Sequence, residues 1–257
     1  MPRPPRGPAR SSPRTSTRKR LVSLLTCPDT PGPPTVGDVD LDCDLVIPCR
    51  DEAAALPGVL AAVPEGMGVL VVDNGSRDGT PDVARRLGAR VVDEPRPGYG
   101  AAVHSGMEAA TATYVAVLDG DGSMDPRDLL PLLAEVRAGR ATMACGRRRP
   151  AARGVWPWHA RAGNAVVLAW LRRRTGIGLH DIAPVRVCRR EDLLALGVRD
   201  RRFGYPVELL VRAQRAGWTL TEHPIPYHPR AEGTRSKVSG SVKGTLRTAR
   251  DFAKVLP

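Results

Sequence analysis

Short apolar runs alternate with helical segments along residues 41–139. Four of these runs predict β-strands, at 41–49, 69–72, 89–92 and 114–118. Between the runs, apolar residues recur at helical spacing, as Leu56, Val59 and Val63 do after the first strand. Because strands that alternate with helices pair in parallel, the pattern predicts an α/β fold with a mostly parallel sheet and helices on both faces.

The second half of the chain is less regular but still mixes strands and helices. Apolar runs predict strands at 142–146 and 184–188, and helical spacing predicts helices at 161–174 and 206–216. A last helix is predicted at 242–255, where an apolar stripe runs beside a basic one. We interpret helix 161–174, which is apolar between arginines, either as a core helix or as a helix lying in a lipid interface.

The N-terminal segment differs in composition from the rest of the chain. The 257 residues carry a net charge of +12, and the first 20 hold seven Lys or Arg and no acidic residue. Such a segment has too little apolar surface to offset the entropy cost of ordering. We therefore predict a disordered basic tail at 1–38 and a single domain at 39–257. The tail is either solvated or an electrostatic anchor for anionic lipid or nucleic acid.

The five cysteines, at 27, 43, 49, 145 and 188, form no CxxC pair. This scatter argues against a disulfide framework or a zinc site and favours a reducing, cytoplasmic location. No run of 18 apolar residues is present, so we expect no transmembrane segment.

Two aspartates follow the fourth predicted strand, in the sequence Asp119-Gly120-Asp121-Gly122. Open α/β sheets bind their ligands at the carboxyl ends of strands, and glycines let the backbone turn sharply there. Two carboxylates at this place could share a divalent cation that neutralises a diphosphate. The alternative is a turn and helix cap without a ligand.

Several motifs occur in an order that resembles the family 2 glycosyltransferases of GT-A fold, and within them the dolichyl- or polyprenyl-phosphate sugar synthases. The motifs are VIPCRDE at 46–52, VVDNGSRDGT at 71–80, GYG at 98–100, LDGDGS at 118–123, HDIAPVR at 180–186, FGYPVEL at 203–209 and GTRSKVS at 233–239. This resemblance implies a Rossmann-like α/β fold with a mixed, mostly parallel sheet. It also implies an inverting glycosyltransferase that uses a nucleotide sugar.

The resemblance assigns roles to individual residues. Those implied to bind the nucleotide sugar are Pro48, Arg50, Glu52, Asp73, Asn74, Gly100, Asp119, Arg230, Arg235 and Lys237. Asp119 and Asp121 are implied to bind Mg²⁺ or Mn²⁺. Asp181 is the implied catalytic residue; it would act as a base for a hydroxyl acceptor, whereas a phosphate acceptor is already an anion. Alternatively, Asp181 caps a helix or pairs with Arg186.

The motifs do not determine which nucleotide sugar is the donor or which molecule is the acceptor. Asn74 can both donate and accept, which leaves UDP and GDP possible, and Ser123 stands where mannosyl-phosphate synthases commonly have Gln. We expect a polyprenyl-phosphate acceptor and peripheral contact with an anionic membrane surface. A soluble hydroxyl acceptor is the alternative. A nucleotidyltransferase and a nucleic-acid-binding module are the alternatives of another class, although no nucleic acid is expected as a partner.

Overall fold

The computed structural model describes residues 41–232, which form one seven-stranded sheet with helices around it. The strands are β1 (Cys43–Cys49), β2 (Gly68–Asp73), β3 (Arg90–Asp93), β4 (Tyr114–Val117), β5 (Met143–Pro150), β6 (Val185–Arg189) and β7 (Leu220–Tyr227). The helices are α1 (Leu56–Ala61), α2 (Thr80–Arg86), α3 (Tyr99–Ala109), α4 (Leu129–Arg137), α5 (Trp158–Thr175), α6 (Arg190–Ala195) and α7 (Tyr205–Arg215).

The sheet has the strand order β3-β2-β1-β4-β6-β5-β7. Strand β1 lies parallel to β2 and β4, with Val46 opposite Leu70 on one side and Val117 on the other. Only β6 runs against its neighbours β4 and β5 among the strands described. The predicted α/β fold with a mixed, mostly parallel sheet is therefore confirmed.

Alternate residues of β1 face opposite sides of the sheet, and each side has its own core. Val46 belongs to the core that contains Val103 and Met107 of α3. Leu45 and Ile47 belong to the core on the other side, which contains Leu132 and Leu133 of α4. Helices therefore cover both faces, as the alternating pattern predicts.

Helix α6 and strand β7 are elements that the sequence pattern does not predict, and β7 also departs from the usual composition of a strand. Pro224 and Pro226 lie within it, and proline cannot donate a hydrogen bond to a sheet ladder. The strand is tolerated because it lies at the edge of the sheet, paired only with β5. β5 also extends to Pro150, beyond the predicted end at residue 146, because it pairs with β7 over its full length.

Asp125 and Thr80 are residue types typical of helix caps, and each precedes a proline, but neither directly caps an α-helix in the structure. Asp125 does cap, accepting a hydrogen bond from the Arg127 amide, but the turn it begins is a 3₁₀ turn and α4 follows at Leu129. Thr80 is the first residue of α2 and not its cap, a position taken by Gly79 at φ 82°. The Thr80 hydroxyl instead accepts a hydrogen bond from the Glu52 amide, which ties the loop after β1 to the loop after β2.

Some predictions fall outside the described residues. These are the basic tail at 1–38, the helix at 242–255, and the residues Arg235 and Lys237. Within residues 41–232, no helix has the length and apolar character needed to cross a membrane.

Candidate functional site

A cavity of about 850 Å³ opens at the carboxyl ends of β1, β2 and β4, where α/β sheets bind ligands. Seven of the residues predicted for the site line this cavity: Pro48, Arg50, Glu52, Asn74, Asp119, Asp121 and Arg230. Asp73, Gly100 and Asp181 are buried and are not among the residues that line it. The predicted site residues that the structure describes therefore lie near one another, at the carboxyl ends of the central strands.

The acidic turn after β4 is held in one shape by its glycines and by its own backbone. A Cβ atom at Gly120 would lie 2.5 Å from the Cys49 sulfur, so the turn packs directly on β1. Gly122 has φ 75°, a conformation that side chains disfavour. One Asp121 carboxylate oxygen accepts a hydrogen bond from the Ser123 amide at 2.9 Å.

Arg230 reaches the acidic turn from the segment after β7. Its Nη1 lies 2.8 Å from the second carboxylate oxygen of Asp121. Two backbone hydrogen bonds place this segment, from the His228 amide to the Ser123 carbonyl (2.8 Å) and from the Ala231 amide to the Asp121 carbonyl (3.0 Å). The edge strand therefore delivers a guanidinium group to the paired carboxylates.

Asp119 has an unusual electrostatic environment. Burial, and then the neighbouring charge of Asp121, raise its pKa to about 6, against the lowering effect of Arg230, Arg148 and Arg186. A buried carboxylate that resists ionisation gains most from a bound cation, because the cation supplies the missing counter-charge.

The carboxylates of the turn are suitable ligands for a hard divalent cation that is also coordinated by a diphosphate. Asp119 and Asp121 could supply oxygen ligands of the kind that Mg²⁺ or Mn²⁺ prefers. Within residues 41–232 no group of three or more His, Cys, Asp or Glu could hold a metal. Mg²⁺ is commonly held by one or two carboxylates together with substrate phosphates, so two protein ligands suffice for this kind of site.

Asp181 is paired with Arg148 and not with Arg186. Its Oδ1 lies 2.7 Å from Arg148 Nη2, and its Oδ2 accepts hydrogen bonds from Arg148 Nε at 2.9 Å and from the Arg148 amide at 3.0 Å. Asp181 is only 1% exposed. Arg186 donates to the Ala183 carbonyl. Both carboxylate oxygens of Asp181 are therefore occupied within the protein.

Arg148 lines the cavity, although no sequence motif singles it out. Its guanidinium lies over the ring of Trp156, 4.2 Å from the centroid, and 5.5 Å from the centroid of Tyr227. These contacts and Asp181 hold a positive charge at the cavity wall. The only signal in the sequence is the run of arginines at 147–149, which does not tell which of them faces inward.

Both the nitrogen and the oxygen of the Asn74 side chain form hydrogen bonds with the loop before α3. Its nitrogen donates to the Glu94 and Arg96 carbonyls at 2.9 and 2.8 Å, and its oxygen accepts from the Gly98 amide at 2.8 Å. Both N–H donors are thus used, which leaves one lone pair of the oxygen for a nucleotide. Asp73 accepts hydrogen bonds from the amides of Gly75 and Ser76.

The GYG motif is explained by close packing. A Cβ atom at Gly100 would lie 2.7 Å from Tyr205 Cβ and 2.8 Å from the Asp200 carbonyl oxygen. The Gly100 amide donates to the Arg202 carbonyl at 3.0 Å. The glycine therefore lets α3 approach the loop at 200–202, and its implied contact with the nucleotide sugar stays a prediction.

Comparison with known proteins identifies the family. Residues 44–193 match the family model described as "Glycosyl transferase family 2". An uncharacterised glycosyltransferase of Mycobacterium tuberculosis is 57% identical over 213 residues, which are 82% of this chain and 96% of that protein. The chain therefore belongs to glycosyltransferase family 2, which confirms both the predicted family and the predicted enzyme class.

More distant relatives include enzymes whose names specify an acceptor. A polyprenol monophosphomannose synthase of Mycolicibacterium smegmatis is 33% identical over 216 residues, which are 77% of this chain and 81% of that protein. A dolichyl-phosphate hexose transferase of Haloferax volcanii is 30% identical over 197 residues, which are 76% of this chain and 86% of that protein.

Solved structures confirm the GT-A type of fold. Glucosyl-3-phosphoglycerate synthase of M. tuberculosis, crystallised with Mn²⁺, UDP and glucosyl-3-phosphoglycerate, superposes with a TM-score of 0.64. The identity is 21%, and the match covers 83% of this chain and 78% of that chain. At this identity the likeness concerns the fold alone.

Proposed function

We propose that the protein transfers a hexose, with inversion, from a UDP- or GDP-sugar to a polyprenyl-phosphate acceptor, with Mg²⁺ or Mn²⁺ as cofactor. One observation carries this proposal: the Asp119–Asp121 pair shares a single cavity with the guanidinium groups of Arg148 and Arg230. Such a set of charges suits a reaction with a diphosphate leaving group and an anionic acceptor, because both need cationic partners.

The donor side of the site lies at the ends of β1 and β2. Pro48, Arg50, Glu52 and Asn74 line the cavity there, and Asp73 is the last residue of β2, directly before Asn74. We assign the nucleoside to this end because the acidic turn, where the diphosphate would lie, follows the neighbouring strand β4. Gly100, Arg235 and Lys237 keep their predicted roles in nucleotide-sugar binding as part of this proposal.

Asp119 and Asp121 would hold the metal. Bound there, Mg²⁺ or Mn²⁺ would stabilise the negative charge that develops on the departing nucleoside diphosphate. Arg230 already contacts Asp121, so it lies where it can bind a phosphate oxygen of the same diphosphate. In the transfer, the bond between the anomeric carbon and the diphosphate oxygen breaks, and a bond to the acceptor oxygen forms.

The acceptor side favours a phosphate. Arg148 presents a guanidinium at the cavity wall, while α5 contributes the apolar residue Val167 to the same cavity. A phosphate monoester is an anion at neutral pH and needs no base to attack. Asp181, with both oxygens bound to Arg148, would then act through that arginine, and the predicted role as a base applies only to a hydroxyl acceptor.

A soluble acceptor is the second candidate. It is favoured by the fold likeness to a synthase that was crystallised with phosphoglyceric acid. A small phosphorylated hydroxy acid could place its own phosphate or carboxylate on Arg148 and react through its hydroxyl. This alternative differs from the first in needing a base.

The deciding experiment measures nucleoside diphosphate release from a panel of UDP- and GDP-sugars with Mn²⁺. Polyprenyl phosphate is present in one arm, 3-phosphoglycerate in a second, and no acceptor in a third. We expect release that requires polyprenyl phosphate and stops in EDTA. Release that requires 3-phosphoglycerate would replace the acceptor, and full activity in EDTA would remove the metal from the proposal.

An arginine variant tests the acceptor site directly. Arg148→Met should raise the KM for polyprenyl phosphate and leave the KM for the sugar nucleotide near its original value. Arg149→Met is the matched control, since Arg149 is the next residue of β5 and is exposed. Equal effects of the two variants on the acceptor KM would contradict a specific role for Arg148.

A further inference from the structure

The charged side chains of residues 136–180 are all positive, if histidine is counted as neutral. This segment contains ten arginines and no Asp, Glu or Lys. Helix α5 lies within this segment, and Arg161, Arg172 and Arg173 of the helix are exposed. A surface of this composition attracts polyanions. Other residues of α5 line the cavity.

The exposed face of α5 is apolar between these arginines. Trp158, Ala162, Ala165 and Ala169, spaced by three and four residues, are exposed and form what we call the α5 stripe. Trp158 is 80% exposed. Only Leu168 and Leu171 of the helix are buried, both in the core that α5 shares with α7. The helix is thus partly a core helix, while its outer face has no partner within the described residues.

We propose that the α5 stripe docks the enzyme on an anionic lipid bilayer. The stripe would enter the boundary between headgroups and acyl chains, where tryptophan is favoured. Arg161 and Arg172 on one side of the stripe, and Arg173 on the other, would contact lipid phosphates. A nucleic acid would pair with the arginines but leave the apolar stripe in water, so a bilayer fits the whole surface better.

The docked orientation would serve the acceptor. The side of α5 opposite the stripe lines the cavity with Gly163, Asn164 and Val167. A polyprenyl chain could therefore remain in the bilayer while its phosphate reaches Arg148. This last step rests on the proposed function, whereas the docking itself rests on the surface of α5 alone.

Co-sedimentation of the full-length chain with vesicles tests the docking. The vesicles contain phosphatidylcholine with or without phosphatidylglycerol, at low salt. A variant combining Trp158→Ser, Arg161→Glu and Arg173→Glu should reduce binding to phosphatidylglycerol vesicles at least tenfold. The matched control, Arg85→Glu and Arg86→Glu with Leu87→Ser, changes the net charge by the same amount at exposed residues at the end of α2 and should bind like the wild type.

Fluorescence locates the contact without a triple substitution. Brominated phosphatidylglycerol vesicles should quench the tryptophan emission of the wild type, and Trp158→Phe should remove most of that quenching while the protein still sediments with the vesicles. Unchanged sedimentation of the triple variant, unchanged quenching in Trp158→Phe, or a wild type that ignores anionic vesicles would each overturn the proposal. The last two outcomes would indicate that the exposed arginines of α5 bind a protein or a nucleic acid instead of lipid.

The acceptor assay separates this inference from the proposed function. With a short-chain, water-soluble polyprenyl phosphate, the triple variant should release nucleoside diphosphate at the wild-type rate, because the substituted side chains do not line the cavity. Vesicle binding without transfer to polyprenyl phosphate would uphold the docking and reject the acceptor. Transfer without vesicle binding would do the reverse.

Discussion

The guanidinium of Arg148 forms a bidentate ion pair with the carboxylate of Asp181, in which Nη2 lies 2.7 Å from Oδ1 and Nε lies 2.9 Å from Oδ2. Asp181 also accepts a hydrogen bond from the Ile182 amide at 2.8 Å. A carboxylate with both oxygens bound in this way fixes the orientation of its arginine. The pair therefore connects the loop before β6 to the wall of the cavity.

The first prediction concerns this pair. Asp181→Asn should lower transfer to polyprenyl phosphate by about 10–100-fold, because a misplaced Arg148 no longer orients the acceptor. The pH profile of kcat should keep its shape. In a double-mutant cycle, Asp181→Asn and Arg148→Met should be strongly non-additive, since each removes the same contact. Loss of the acid limb of the profile in Asp181→Asn would instead identify Asp181 as a base.

The second prediction concerns the acidic turn. Asp121→Asn should abolish transfer and weaken Mn²⁺ binding, measured by electron paramagnetic resonance with UDP present, because one negative charge is lost from a two-carboxylate site. Thermal unfolding should remain cooperative. Asp82→Asn on α2, where the side chain is 67% exposed, is the control and should leave Mn²⁺ binding unchanged. Normal Mn²⁺ affinity in Asp121→Asn would exclude this residue as a ligand.

The third prediction concerns stability in acid. Hydrogen bonds from Arg96, and then from Ser105, lower the pKa of Glu94 to about 2, although burial opposes this. Because the folded pKa lies below the ordinary value of about 4.3, the stabilisation is complete above that value. It is lost as the pH falls from about 4.3 to 2.

Glu94→Gln tests this effect through urea unfolding at several pH values. The variant should be less stable than the wild type by about 1–3 kcal/mol at pH 6, and the difference should shrink towards pH 2. A difference that stays constant between pH 6 and pH 2 would show that the Glu94 charge contributes nothing.

The fourth prediction concerns the close approach of α3 to the loop at 200–202. Gly100→Ala should destabilise the protein by about 1–3 kcal/mol, since the added methyl group meets backbone and Tyr205 Cβ at under 3 Å. Gly58→Ala is the matched control, because no atom lies within 4 Å of a Cβ there and the residue is inside α1. That variant should be neutral or stabilised by up to about 1 kcal/mol. Equal Tm values for the two variants would contradict the packing explanation.

The sequence by itself determined the features that depend on neighbours along the chain. Alternating apolar runs predicted β1 to β4, and the acidic turn could be placed at the end of β4 because strand and turn are contiguous. The order of the motifs predicted family 2 of the glycosyltransferases, which the comparisons confirm. The roles of single site residues remain predictions.

Only the tertiary structure decided which distant residues meet. Arg148 and Asp181 are 33 positions apart, and the antiparallel pairing of β5 with β6 brings the segments that carry them together. Strand β7 contains two prolines, which local propensity disfavours in a strand. It forms because it pairs with β5 at the edge of the sheet. The outward face of α5 likewise depends on which of its sides the core covers. Local patterns report the conformation of a segment, whereas its partners are set by long-range packing, for which a single sequence carries no local signal.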